Sequence, residues 1–171
     1  MKWKRILALM ILVIAVVIKM GHIQENTVER GFVTKVIDGD TVVIDQQHKV
    51  RIIGINTPEI GKNSEVFGQE AKDFAVKVLY RQEVYLEKEV SETDRYGRLL
   101  RHIWLRNPKV GVPEEDLYGA MVLKEGFGQV ATFPPDVKYE KLYRSLSRKS
   151  RTEEKGLWKI RPDGTTKGEI P

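Results

Sequence analysis

Three short clusters in this chain carry groups able to do chemistry. The first is Asp38-Gly39-Asp40-Thr41. The second is Arg51 in an apolar run, followed by Asn56-Thr57-Pro58-Glu59. The third is Asp94-Arg95-Tyr96-Gly97-Arg98. Each alone has an ordinary structural reading: a β-turn built on Asp and Gly, an edge-strand arginine facing water, and a polar hairpin turn. As a set they are coherent. Carboxylate and amide oxygens suit a hard cation such as calcium. Two arginines offer planar forks that match phosphate oxygens. A buried arginine is costly without an anionic partner or ligand. A further glutamate can take a proton from water. Hydrolysis of a phosphodiester needs these parts: a Lewis acid, stabilisation of developing charge and an activated water.

The elements that must position these groups follow from hydrophobic periodicity. Gly31–Ile37, Thr41–Asp45 and Lys49–Ile55 are β-branched runs, the last two separated by a polar turn at Gln46–His48. The pattern then changes. Phe67, Ala71, Phe74, Ala75 and Val78 recur at helical spacing, which predicts an amphipathic helix over Ser64–Tyr80 with Ser64 as its cap. Glu83–Val90 and Arg98–Leu105 read as two further strands around a turn at Ser91–Gly97. Asn107–Pro113 reads as a loop, Glu115–Lys124 as a short helix stopped by Gly126, and Val137–Glu154 as a final helix with Trp158 beneath it. Three strands, a helix, two strands and more helices fit an α+β protein. The expected architecture is a five-stranded barrel of the oligonucleotide-binding type with packed helices. Fold alone does not license function.

Met1–Arg5 carries three positive charges, and Ile6–Ile18 is an unbroken apolar run of thirteen residues. This is the pattern of a secretory signal. No clear cleavage site follows, so residues 1–22 are expected to be a signal peptide or an uncleaved anchor, with the domain extracytoplasmic. Residues 23–30 then read as a linker, 31–160 as the folded domain and 161–171 as a tail. The domain is large enough to bury a core without cross-links, and the chain has no cysteine. The net charge of +5 is uninformative about partners, because residues 1–22 hold four Lys/Arg and no acid. Distribution says more: residues 138–159 hold eight Lys/Arg against three Glu. That stretch suits a phosphate backbone, and suits a solvated helix face as well.

Five stretches occur in one order: Val36-Ile-Asp-Gly-Asp-Thr41, Arg51-Ile-Ile-Gly-Ile-Asn-Thr-Pro-Glu59, Phe67-Gly-Gln-Glu-Ala71, Thr93-Asp-Arg-Tyr-Gly-Arg98 and Glu154-Lys-Gly-Leu-Trp158. In these the chain closely resembles the staphylococcal nuclease (thermonuclease) family. The resemblance implies a five-stranded Greek-key barrel with three helices and calcium-dependent cleavage of DNA and RNA leaving 3′-phosphate ends. It also implies roles. Asp40 matches the metal carboxylate, and Thr57 the residue that gives a backbone carbonyl to the metal. Glu59 matches the general base or water-positioning residue. Arg51 and Arg98 match the phosphate-binding arginines, Tyr96 a tyrosine near the phosphate and Asp38 an acid close behind the metal. Asp94 matches an acid in the turn before Arg98 and reads as structural. Single-stranded or locally open nucleic acid is the implied partner, and a monomer is expected.

Two departures from the family pattern stand out. Asn56 occupies the place of a second metal carboxylate, so the metal set includes an amide and is one charge short. Thr132 and Pro134 occupy the places of two tyrosines that face the nucleotide, while Phe133 between them offers a stacking face. The connection Asn107–Glu115 is also long for the family. Two other classes remain open on sequence: a non-catalytic module that binds nucleic acid or protein, and a membrane-tethered surface protein. Retention of Arg51, Glu59 and Arg98 together favours the enzyme.

Overall fold

The computed structural model describes Trp3, residues 28–62 and residues 64–164. The apolar run Ile6–Ile18 and residues 165–171 lie outside them. Among the described residues, no helix is long and apolar enough to cross a membrane.

Among the described residues, seven strands and five helices follow in chain order: β1 (Val28–Val36), β2 (Thr41–Ile44), β3 (His48–Ile52), β4 (Gly54–Asn56), α1 (Gly68–Leu79), β5 (Glu83–Glu87), β6 (Leu99–Trp104), α2 (Pro113–Asp116), α3 (Tyr118–Glu125), β7 (Gln129–Ala131), α4 (Glu140–Thr152) and α5 (Leu157–Ile160). Strands β1, β2, β3, β6 and β5 close a barrel in that order. Within the barrel, β3 and β6 run parallel and the other neighbours antiparallel. Strand β1 closes the barrel by serving two partners. Its first half pairs with β5 (Val28↔Glu87 to Phe32↔Glu83). Its second half pairs with β2, across an irregularity between Val33 and Lys35. A bulge of this kind bends and twists a strand, which lets it change neighbours. Pairing with β5 also carries β1 back to Val28, so the last three residues of the expected linker are strand.

Inward-facing residues alternate along the barrel strands, as a half-buried sheet requires. Val33, Val42, Val50, Ile52, Val84 and Ile103 are buried together, and Leu79, Tyr118, Leu123 and Tyr143 bring the helices onto the same core.

The apolar run Lys49–Ile55 is two strands rather than one. Gly54 has φ +83°, a conformation that costs a side-chain-bearing residue but not glycine. A Cβ there would also lie 2.5 Å from the Tyr143 ring. The chain turns at this point, leaves the barrel and pairs with β7 (Gly54↔Ala131, Asn56↔Gln129). Strand β7 is too short for periodicity to reveal.

The three expected helices are present as α1, α3 and α4, with the single-turn α2 and α5 beside them, and their ends are set by local contacts. Ser64 does not cap α1: the helix begins at Gly68 with Phe67 in the cap position, and Ser64 belongs to the preceding turn, its N–H donating to the Gly61 carbonyl. Leu117 is extended and bridges Trp104, which splits the expected Glu115–Lys124 helix into α2 and α3. Helix α4 starts at Glu140, after Asp136 and Lys138 are stitched to Val90 and Glu89 in the segment that follows β5. Trp158 is buried within the short α5.

Candidate active site

The site lies where the β1–β2 turn, β3 and the end of β4 meet. The turn is tight: the N–H groups of Ile37 and Asp38 donate to the Thr41 carbonyl (2.9 and 3.3 Å). Asp38 accepts the Asp40 N–H at 3.0 Å. The Asp40 carbonyl accepts the Ile52 N–H at 2.9 Å, which ties the turn to the end of β3.

Four of the sequence-derived residues come into direct contact. Asp40 is buried. Its Oδ2 accepts the Thr57 N–H at 2.9 Å and faces Arg51 Nη2 at 3.1 Å. Its Oδ1 accepts the Thr41 hydroxyl at 3.0 Å. The same Arg51 Nη2 donates to Asn56 Oδ1 at 3.3 Å. The oxygens of Asp40 and Asn56 therefore converge on one cationic nitrogen. Arg51 is further fixed by donating from Nη1 to the Ile52 carbonyl at 2.8 Å. Its position opposite Thr41 on β2 comes from strand register.

Burial raises the Asp38 carboxyl to about 6, and the neighbouring Asp40 adds to that push. Two acids held this close in a partly dry setting repel one another, so the turn favours a nearby cation.

Arg98 enters from the neighbouring strand, one residue before β6, which pairs with β3. Its Nε donates to Asp94 Oδ2 at 2.6 Å and its Nη1 to the Thr41 hydroxyl at 3.4 Å. Thr41 thus links Arg98 to Asp40, a role that a lone threonine after Gly-Asp does not signal in sequence. Burial alone would raise the Asp94 carboxyl. The backbone and side-chain N–H groups of Arg98, with the Tyr96 N–H, outweigh it and hold Asp94 below the ordinary range.

A cleft of about 420 Å³ is lined by Arg51, Arg98, Asp94, Tyr96, Phe133 and Asp136, among others. Tyr96 and Phe133 are 68% and 63% exposed, so both rings present faces to the cleft mouth. The guanidinium carbons of Arg95 and Arg98 stand 4.8 and 5.5 Å from the Tyr96 ring centre. Thr132 turns inward and is buried, so Phe133 faces out. The Phe133–Asp136 bridge closes this segment into a tight turn. Asp136 Oδ1 accepts the N–H groups of Val90 and Ser91, both at 2.9 Å, which anchors that wall. Sequence reading missed Asp136, an acid in a proline-rich loop without a partner close in sequence.

Asp40, Asn56, Thr57 and Glu59 are not walls of this cleft. Glu59 is half-buried two residues beyond Thr57. Its backbone is clasped by Glu65, which accepts the Glu59 N–H at 2.9 Å and donates its own N–H to the Glu59 carbonyl at 2.8 Å.

A closed five-stranded barrel with an acid–arginine cluster at its β1–β2 turn and a two-arginine cleft beside it defines a nuclease-like barrel of the oligonucleotide-binding type. Comparison with known proteins places it further. A family profile described as staphylococcal nuclease homologue matches residues 49–160. The thermonuclease of Staphylococcus hyicus is 34% identical over 132 residues, covering 74% of this chain and 73% of that protein. The thermonuclease of Staphylococcus intermedius is 34% identical over 136 residues, covering 76% of each. The micrococcal nuclease of Shigella flexneri is 32% identical over 135 residues, covering 75% of this chain and 73% of that protein. The chain belongs to the staphylococcal nuclease homologue family.

Proposed function

We propose that this protein is a calcium-dependent nuclease that hydrolyses phosphodiester bonds of DNA and RNA and leaves 3′-phosphate ends. The observation that carries the reading is the contact of Asp40, Arg51 and Asn56 beside the cleft that Arg51 shares with Arg98. The relatives' names support it. The apolar run Ile6–Ile18 behind a basic N-terminus supports an extracytoplasmic setting.

The residues present fit a hard cation. Among the described residues no group of three or more His, Cys, Asp or Glu side chains is placed to hold a metal. The donors are instead oxygens of mixed type, the Asp40 carboxylate and the Asn56 amide, which converge on a single positively charged atom. Mixed carboxylate, amide and carbonyl oxygens are a calcium-type set. Asp40, Asn56 and the Thr57 carbonyl would hold the ion, with Asp38 behind them. Calcium bound there supplies Lewis-acid polarisation of the phosphate.

The chain's own residues do the rest. Glu59 takes the proton of the attacking water. Arg51 and Arg98 grip the non-bridging oxygens and stabilise the charge that grows on them as water adds to phosphorus. The bond to the 5′ oxygen breaks, that oxygen leaves as a hydroxyl by taking a proton from solvent water, and Glu59 returns its proton to solvent. Tyr96 and Phe133 offer faces on which bases of a single or locally open strand stack.

The test is cleavage of single-stranded DNA by the full chain, with calcium or with chelator. Calcium-dependent cleavage is expected. Cleavage no greater than that of a Glu59→Gln, Arg98→Ala double variant would overturn the reading and favour a binding-only module. Asn56 yields a further expectation. With one negative charge fewer, the site binds calcium weakly, so Asn56→Asp is expected to lower the calcium concentration for half-maximal activity by about tenfold. Equal half-saturation in the two proteins would show that the missing charge does not limit binding.

A further inference from the structure

The turn that carries Asp38 and Asp40 has a support that neither acid provides. Tyr118, the first residue of α3, donates its hydroxyl to the Gly39 carbonyl at 2.7 Å. On the other side, a Cβ on Gly39 would come within 2.7 to 2.9 Å of the Thr57 side chain. The turn is therefore clamped between a tyrosine hydroxyl and the threonine whose N–H binds Asp40.

Tyr118 is itself held by a column of rings. Phe74 stacks on it at 6.1 Å between centres, Phe127 on Phe74 at 4.3 Å, and Phe67 on Phe127 at 5.6 Å. The far end of the column reaches the Glu59 segment. Phe67 sits at φ +74°, a strained conformation for a bulky residue. The next residue, Gly68, packs so closely on Glu59 that a Cβ would lie 2.5 Å from the Glu59 carbonyl oxygen. One continuous stack joins the segment bearing Glu59 to the turn bearing Asp38 and Asp40.

Packing alone does not need the hydroxyl. A phenylalanine ring would fill the same space at position 118. The hydroxyl also stays a donor: burial above all, then Asp40 and Asp38, push the phenol well above its ordinary value. We infer that Tyr118 is a positioning residue for the metal-binding turn, its hydroxyl fixing the Gly39 carbonyl and its ring column setting that turn relative to Glu59. The inference rests on the reading of Asp40 as the calcium ligand.

The experiment is calcium titration calorimetry on the full chain without substrate, alongside thermal unfolding in chelator. For Tyr118→Phe the calcium Kd is expected to rise about tenfold, the scale of one lost buried hydrogen bond. Phe74→Leu keeps the hydroxyl but loosens the rings beneath it, and is expected to raise Kd by about two- to threefold. A lowered unfolding midpoint with an unchanged Kd in both variants would make Tyr118 a core residue only and overturn the inference. Should Tyr118→Phe fail to fold, an unchanged Kd for Phe74→Leu overturns it alone. Asp40→Asn separates this from the calcium reading. Undiminished calcium binding in that variant overturns Asp40 as ligand, and the inference with it.

Discussion

Replacing Arg98 by lysine is expected to lower kcat by about 10²- to 10³-fold while leaving the fold intact. Developing negative charge in the transition state is where a preorganised donor matters most, and removing one such donor typically costs this much. Lysine keeps the charge but not the geometry. Arg98 uses Nε to grip Asp94 at 2.6 Å and Nη1 to reach the Thr41 hydroxyl at 3.4 Å, which fixes the plane of its guanidinium on the cleft wall. A lysine ammonium is one point charge on a flexible stem and cannot make both contacts. The loss should fall on kcat more than on KM, because the interaction strengthens as charge grows on the phosphate. The fold should survive. Asp94 Oδ1 still accepts the N–H groups of Tyr96 and residue 98, at 2.9 and 3.0 Å, so the turn keeps its own support. Steady-state kinetics on single-stranded DNA, with circular dichroism as control, would check this. A kcat within threefold of wild type would remove Arg98 from the chemistry.

The second large effect concerns stability and lies outside the cleft. Glu87→Ala is expected to destabilise the protein by about 2–3 kcal/mol at pH 7, the cost of leaving buried donors without an acceptor. Glu87 is buried at the end of β5. Its Oε2 accepts the Trp104 indole N–H at 2.9 Å and the Tyr139 hydroxyl at 2.8 Å, and its Oε1 pairs with Lys138. Removing the carboxylate leaves the buried Trp104 indole N–H and the half-buried Tyr139 hydroxyl without their acceptor, while Lys138, at the surface, returns to water. These partners also tie the chain leaving Phe133 and Asp136 to the barrel, so one cleft wall should loosen with them.

The pH dependence of this effect has a definite direction. Burial alone would raise the Glu87 carboxyl. Bonds from Lys138, Tyr139 and Trp104 outweigh burial and hold it below its ordinary value of 4.5. A carboxyl lowered in the folded chain contributes stability that is fully present above the ordinary value and is lost as pH falls through the folded one. Glu87→Gln does not titrate, so its stability should fall less steeply with acid than that of wild type below pH 4.5. Urea unfolding across the acid range measures both. A loss under about 1 kcal/mol for Glu87→Ala would show that the network is no stronger than an exposed ion pair.

The chemistry of the site was legible because side-chain type is written in the sequence and the motifs are short. Asp40, Thr41 and Arg51 sit on a turn and two adjacent strands, so local periodicity placed them within reach of one another. The same reasoning located β1, β2, β5, β6 and the body of α1, where residues repeat at strand or helix spacing. It failed where a distant contact overrides the local pattern. The run Lys49–Ile55 is uniformly apolar, and nothing near it says that Gly54 turns the chain aside to make room for Tyr143 on α4. Strand β7 exists through its pairing with β4 rather than through its own three residues.

By itself, then, the sequence determined which groups could act, the two departures at Asn56 and Thr132-Phe133-Pro134, and the barrel strands. Tertiary structure alone decided how those groups are shared. Asp40 and Asn56 both claim one nitrogen of Arg51, Thr41 relays Asp40 to Arg98, and Phe133 faces the cleft because Thr132 turns inward. The reason is physical. Residue type and spacing set what a side chain can do and which face it takes within its own element. The partner that finally meets a buried hydroxyl, carboxylate or guanidinium comes from another element, often dozens of residues away, as Tyr118 comes to Gly39 across 79 residues.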